Sequence, residues 1–234
     1  MTLRLLLGDQ LNINHSWFEV QDDSVCYLLM EVQQETNYVT HHLQKVVAFF
    51  KAMRQFKVEL EDRGHRVHYM ELNHQENKQN IPKNILHLIE TYQATKFEYQ
   101  FPDEYRLDQQ LSGFCETLPI ESIAVDTEHF MTSRTFLTSF FEGKKQLVME
   151  YFYRRIRKDF NLLMEGESPL GGAWNFDKNN RNKWKGTPEI PKAYKSDTTT
   201  LEQLIYLLNE EGIQTLGTLD SNSFLYPASR KEAL

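Results

Sequence analysis

Only two cysteines, Cys26 and Cys115, occur in the 234 residues. Two thiols are too few for a four-cysteine zinc site or an iron–sulfur cluster. They lie far apart in a chain without an export signal, so buried free thiols are expected. Long apolar runs are missing too: nothing approaches the ~20 residues that a bilayer-crossing helix needs. The start, Met1 to Asp9, lacks the basic region, extended apolar core and small-residue cleavage site of a leader, and reads as a cytoplasmic N-terminus. Positive charge is outweighed, with 26 Lys and Arg against 33 Asp and Glu, and a net charge of −7 argues against polyanion binding over the whole surface. No G-x-G-x-x-G or Walker spacing is present, which removes support for dinucleotide or P-loop phosphate binding. The pair His41-His42 lacks an H-E-x-x-H partner, and adjacent helical residues point about 100° apart, so no metal site is expected there. No Ser-His-Asp or Cys-His spacing nominates a nucleophile, and no catalytic residue is assigned.

What the sequence has is alternation. Leu3 to Leu7 and Val25 to Met30 are short apolar runs suited to central parallel strands buried on both faces. Between Thr40 and Arg63 the residues Val46, Phe49, Phe50, Met53, Phe56 and Leu60 recur at three- and four-residue steps, a helix stripe that Gly64 ends. His65–Leu72, Lys96–Phe101 and Ser122–Val125 read as further strands, with helices at Pro82–Tyr92 and Tyr105–Glu116 between them. The pattern predicts an α/β fold: a Rossmann-like, doubly wound, five-stranded parallel sheet. After it, Ser133–Phe141 and Met149–Met164 look helical. Gly166–Thr199 reads as an irregular connector, and Thr200–Asn209 as one more amphipathic helix. Ser229 and Glu232 form a capping box for a helix of which about one turn is present, so the chain is expected to continue.

In doubly wound sheets ligands settle at the carboxyl ends of strands where strand order reverses; here those ends are Gly8-Asp9-Gln10, Glu31 to Glu35, and Pro102-Asp103-Glu104. Asp9 and Gln10 could hydrogen-bond a heterocycle or sugar, or simply cap a turn. Glu31 and Glu35 could accept hydrogen bonds from ring nitrogens or hydroxyls, or form a solvated acidic loop. The stretch Lys144 to Lys158, with Arg154, Arg155 and Arg157 among Tyr151, Phe152 and Tyr153, could hold phosphates and stack bases, or pack against a partner domain. Trp174, with Asn175-Phe176-Asp177, is a large aromatic in a polar loop and needs a surface to rest on.

Several of these segments occur in an ordered series. Leu7-Gly8-Asp9-Gln10-Leu11, Glu31-Val32 with Glu35, Tyr38-Val39-Thr40-His41-His42 and Met53-Arg54 with Phe56 open it. Met149 to Arg154, Leu162-Leu163-Met164 and Gly171-Gly172 with Trp174 to Arg181 complete it. Together they resemble the N-terminal part of the photolyase-related family, the iron–sulfur bacterial cryptochromes and photolyases. The resemblance implies a Rossmann-like front domain (residues 1–165) that carries an antenna chromophore, 6,7-dimethyl-8-ribityllumazine. Residues 166–234 would be the connector and the start of a helical domain holding FAD and a 4Fe-4S cluster. It implies light harvesting for flavin-dependent repair of (6-4) lesions in damaged DNA, or light signalling. It also implies a parent DNA photolyase of which this chain alone is not catalytic, and its own helical domain as the first partner. Carried over by motif, Gly8, Asp9 and Gln10 would contact the ring or ribityl chain, Val32 and Glu35 would close one side, and Tyr38, His41 and Phe49 would line the other. The resemblance implies an aliphatic residue near Phe49, and a phenyl ring there would narrow the pocket. Two other readings stay open: a stand-alone nucleotide- or nucleic-acid-binding module working through the basic helix, and a small hydrolase using the His41-His42 region.

Overall fold

The computed structural model describes residues 1–178, 181–192, 200–220, 224–227 and 229–234. Five parallel strands form one sheet: β1 (Thr2–Leu5), β2 (Val25–Met30), β3 (Val67–Met70), β4 (Lys96–Gln100) and β5 (Glu121–Val125), in the order β3-β2-β1-β4-β5. This is the expected doubly wound α/β sheet. The chain steps outward from β1 to β3, then returns to place β4 on the other side of β1. Leu3 therefore pairs with Cys26 on one side and Phe97 on the other.

All six residues of β2 are buried, as a central strand covered on both faces must be. One face packs Leu6, Tyr27 and Leu29 against α2 (Leu43–Asp62), through Val46, Phe50, Met53, Phe56 and Leu60. The other packs Leu3, Leu5, Leu28 and Phe97 against α3 (Ile81–Tyr92) and α4 (Tyr105–Cys115), through Ile85, Leu88, Leu107 and Leu111. A short helix, α1 (Gln33–Asn37), joins β2 to the loop before α2. Cys26 is buried, Cys115 is half-buried, and both are free thiols.

The chain divides into two compact units, Met1–His129 with Ala193–Leu234, and Phe130–Lys192. The sequence pattern puts a boundary at 165/166; by contacts, the amphipathic helix α7 (Leu201–Glu210) belongs with the sheet, because Leu201, Leu204 and Leu208 are buried in the α2-side core. In the same unit α8 (Arg230–Ala233) carries the Ser229–Glu232 capping box. The second unit holds α5 (Phe136–Phe141), α6 (Met149–Asp159) and a small hairpin of β6 (Met164–Glu165) and β7 (Ser168–Pro169). Helix α6 stops earlier than Met164 because Asn161 and Leu163 adopt φ of 51° each, a left-handed conformation incompatible with continuing the helix. Arg157 then satisfies the freed Leu162 and Leu163 carbonyls. Among the described residues no helix is long and apolar enough to cross a membrane.

Candidate functional site

Five parts of the first unit meet above the carboxyl ends of β1 and β2. They are Leu6–Asp9, Met30 to Thr36, Tyr38 to Met53 along the loop and first turns of α2, Ile81 at the start of α3, and Glu104 to Leu107 at the start of α4. They enclose a cavity of about 240 Å³. Its floor is apolar, from Leu6, Leu7, Met30, Val32, Phe50 and Met53, while Asp9, Glu35, Lys45, Glu104 and Arg106 bring charge to its rim. The place is the one the strand-order rule selects: between β1 and β4 the loops leave in opposite directions and open a crevice.

Gly8 makes the crevice narrow at its base. A Cβ there would lie 3.0 Å from Met53 Sδ and 3.1 Å from Phe49 Cδ1, so an added side chain would press on both of these α2 residues. Beside it, partial desolvation raises the Asp9 carboxyl from its ordinary value. Its own backbone amide and His129 oppose that rise, and the nearby Asp103 and Glu35 charges add to it.

The opposite wall is a chain of polar contacts. Arg106 reaches Glu35 end-on, with its two terminal nitrogens 3.1 and 2.8 Å from the two carboxylate oxygens, and comes within 3.3 Å of Glu104. The guanidinium also stacks on Tyr38, 4.3 Å from the ring centre. Tyr38 meets the His41 ring edge-on at 5.0 Å. His41 is fixed at both nitrogens: Nε2 lies 3.2 Å from the Glu35 carbonyl and Nδ1 3.1 Å from the Lys45 ammonium. A carbonyl only accepts and an ammonium only donates, so His41 is the neutral Nε2–H tautomer. Burial first, and Lys45 second, hold its pKa below the ordinary histidine value. Lys45 in turn lies 5.9 Å from the centre of the Phe49 ring.

Chain from beyond α7 braces this wall. Leu216 N donates to the His41 carbonyl at 2.8 Å, and Leu43 N donates to the Leu216 carbonyl at 2.9 Å. Exposed His42 caps α2 through Gln44 N and lies against Gly217. Gly217 has φ of 72°, and a Cβ there would stand 2.0 Å from His42 Nε2, so both conformation and space require glycine.

Of the residues nominated from sequence, Gly8, Asp9, Val32, Glu35, Tyr38, His41 and Phe49 line this one cavity. Gln10 does not. Its side chain is buried and spent on structure, accepting from Leu7 N at 3.1 Å and donating to the Gln100 and Phe101 carbonyls at 3.2 and 3.3 Å, which ties the end of β1 to the end of β4. Glu31 is also turned inward, held by Arg54, Tyr69 and Leu72 N beneath the site, so it is neither a solvated loop residue nor a pocket residue. Sequence reasoning reaches Glu104 through the exit of β4 but misses Lys45 and Arg106 as lining residues. The switch-point rule points at Pro102–Glu104, and Arg106 stands two residues later.

The basic stretch belongs to the second unit and is largely engaged within it. Arg154 pairs with Glu150 at 2.5 Å and Arg155 with Asp159 at 2.7 Å. Arg157, nearly fully buried, holds the two carbonyls after α6. Trp174 rests on this helix, with Arg154, Arg157 and Lys158 between 5.2 and 5.8 Å from its ring centre. Asn179 and Asn180 of the Trp174 motif, and residues 193–199 of the connector, lie outside the described residues.

Residues 4–224 match the family described as deoxyribodipyrimidine photo-lyase-related protein. The chain belongs to this family. It is 34% identical over 180 residues to a (6-4) photolyase of Agrobacterium fabrum; the match covers 76% of this chain and 36% of that protein. The photolyase-related chain thus spans about a third of that relative's length. It is also 23% identical over 176 residues to an uncharacterized protein of Acanthamoeba polyphaga mimivirus, covering 71% of this chain and 87% of the viral protein. Among the described residues no group of three or more His, Cys, Asp or Glu side chains is placed to hold a metal ion.

Proposed function

We propose that this photolyase-related chain binds an antenna chromophore, 6,7-dimethyl-8-ribityllumazine, in the crevice above β1 and β2, and gathers light for a flavoprotein of (6-4) photolyase type. One observation carries the reading: an apolar-floored cavity at the strand-order reversal, rimmed by Tyr38, His41 and Phe49 and by charged groups on both sides. Its volume, about 240 Å³, falls somewhat below the roughly 300–1,000 Å³ typical of small-molecule pockets and suits one compact ring system better than a dinucleotide. The apolar floor would take the ring. Asp9, at the lip, would accept hydrogen bonds from the polyhydroxyl chain.

In this reading, repair chemistry, FAD, the 4Fe-4S cluster and contact with damaged DNA belong to a helical partner domain, and this chain supplies no reacting group. The nucleic-acid-module reading draws less support, because Arg154, Arg155 and Arg157 already have protein partners. Titration of the purified protein with ribityllumazine, followed by ligand fluorescence, tests the proposal. Saturable binding that weakens about tenfold or more in Glu35→Ala is expected, since that change releases Arg106 and Tyr38 together. Absence of saturable binding by the wild type refutes it.

A further inference from the structure

The two Glu–Arg pairs near β2 use different edges of the guanidinium. Arg54 meets Glu31 side-on, through Nε at 2.7 Å and a terminal nitrogen at 3.0 Å. Arg106 meets Glu35 end-on, through both terminal nitrogens, and Glu104 shares one of them. The Arg106 Nε–H is thereby left over. It is buried, and it has no hydrogen-bond partner among the described residues. Leaving a buried donor of a charged group unsatisfied is costly, which is why nearly all such groups have partners.

Arg106 also lines the cavity, and it is held there on several sides. Glu35 fixes its end and Tyr38 its face. Glu104 fixes the backbone, accepting from Arg106 N at 2.9 Å and Leu107 N at 3.0 Å as the cap of α4. A donor so constrained is pre-organised for a ligand and loses little freedom on binding. From this we infer that Arg106 is a specificity-determining residue: its Nε–H selects a heteroaromatic ligand that presents a ring carbonyl at the edge facing α4. The inference rests on the chromophore reading and deepens it, for it assigns the selectivity to a residue from the β4–α4 side of the crevice. An isosteric ring without a strong acceptor at that edge would leave the donor unpaired and be rejected, since a site built to hydrogen-bond discriminates far better than an apolar wall does.

Arg106→Lys keeps the positive charge beside Glu35 but removes the planar donor. Binding of 6,7-dimethyl-8-ribityllumazine, and of its 2-thio and 4-thio analogues in which sulfur is the weaker acceptor, is measured by fluorescence titration for wild type and Arg106→Lys. Circular dichroism and the urea midpoint establish that both proteins are folded. The wild type should bind one thio analogue about tenfold or more weakly than the parent compound, and Arg106→Lys should lose that preference while binding the parent about tenfold or more weakly. If the wild type binds the lumazine but Arg106→Lys keeps the same preference, or the wild type shows none, Arg106 does not read the carbonyl and the inference falls alone. No binding of the lumazine by wild type overturns the chromophore reading and the inference with it.

Discussion

Glu31 and Glu35 stand four residues apart at the exit of the same strand, and each pairs with an arginine, yet the two pairs do different work. Glu31 is wholly buried, and its oxygens take Arg54 Nε, an Arg54 terminal nitrogen, Tyr69 Oη and Leu72 N, at 2.7 to 3.0 Å. Every acceptor direction is used, so the cluster locks the end of β2 to α2 and β3. Glu35 and Arg106 are each about one-third exposed, and their pair borders open space. One pair is closed by protein alone; the other borders the cavity.

Breaking the closed pair should have the largest effect on stability. Glu31→Ala leaves the Arg54 cation without its main partner and strands Tyr69 Oη and Leu72 N, so a loss of about 3–5 kcal/mol in urea unfolding is expected. Tyr69→Phe removes one hydrogen bond to the same carboxylate and should cost about 1.5–3 kcal/mol. A loss below about 1 kcal/mol for Glu31→Ala would show that the cluster is not the lock described. Glu35→Ala sharpens the contrast from the other side. As a partly exposed pair it should cost less than about 1 kcal/mol of stability, while chromophore affinity falls about tenfold or more. Equal unfolding losses for Glu31→Ala and Glu35→Ala would erase the distinction between the two pairs.

The sequence showed both glutamates at a strand exit, and periodicity cannot tell them apart. Glu31 and Glu35 are equally consistent with either role until the partners arriving from α2, β3 and α4 are placed, because those contacts span 23 to 71 positions of chain. The sheet itself was legible, since β2 is apolar throughout and the α2 stripe keeps its period along the helix. Gln10 looked like a ligand contact for the same reason that Asp9 did: both come directly after Gly8. The turn that points Asp9 at the cavity mouth carries Gln10 back to the β4 carbonyls. Helix α7 reads from sequence as an element of a later domain. Its apolar face, Leu201, Leu204 and Leu208, could not reveal that its partner was the sheet's α2 side.

The smallest effect expected is one of pH, and it too should separate the two regions. In the closed cluster, burial and the Glu31 charge push the Tyr69 phenol far up. Burial disfavours the Arg54 cation, but its hydrogen bonds to Glu31 outweigh that and raise it, so neither partner titrates near neutrality. At the cavity, His41 titrates below its ordinary value because burial and Lys45 disfavour its charged form. The unfolded chain therefore binds a proton before the folded one does. This contribution to stability is complete above the unfolded value near 6.5 and is lost as pH falls toward the lower folded value. Below it, Nδ1 gains a proton, can no longer accept from Lys45, and repels the ammonium 3.1 Å away. Lowering the pH from about 7.5 to about 5.5 should thus reduce stability less in His41→Gln than in wild type, while Tyr69→Phe keeps the wild-type slope. His65 and His68 are also held low by burial and will leave a residual slope in every variant, so the difference between slopes is the quantity to measure. An unchanged slope in His41→Gln would mean that the Lys45–His41 contact carries no charge-dependent energy and that the open wall is as insensitive to protons as the closed one.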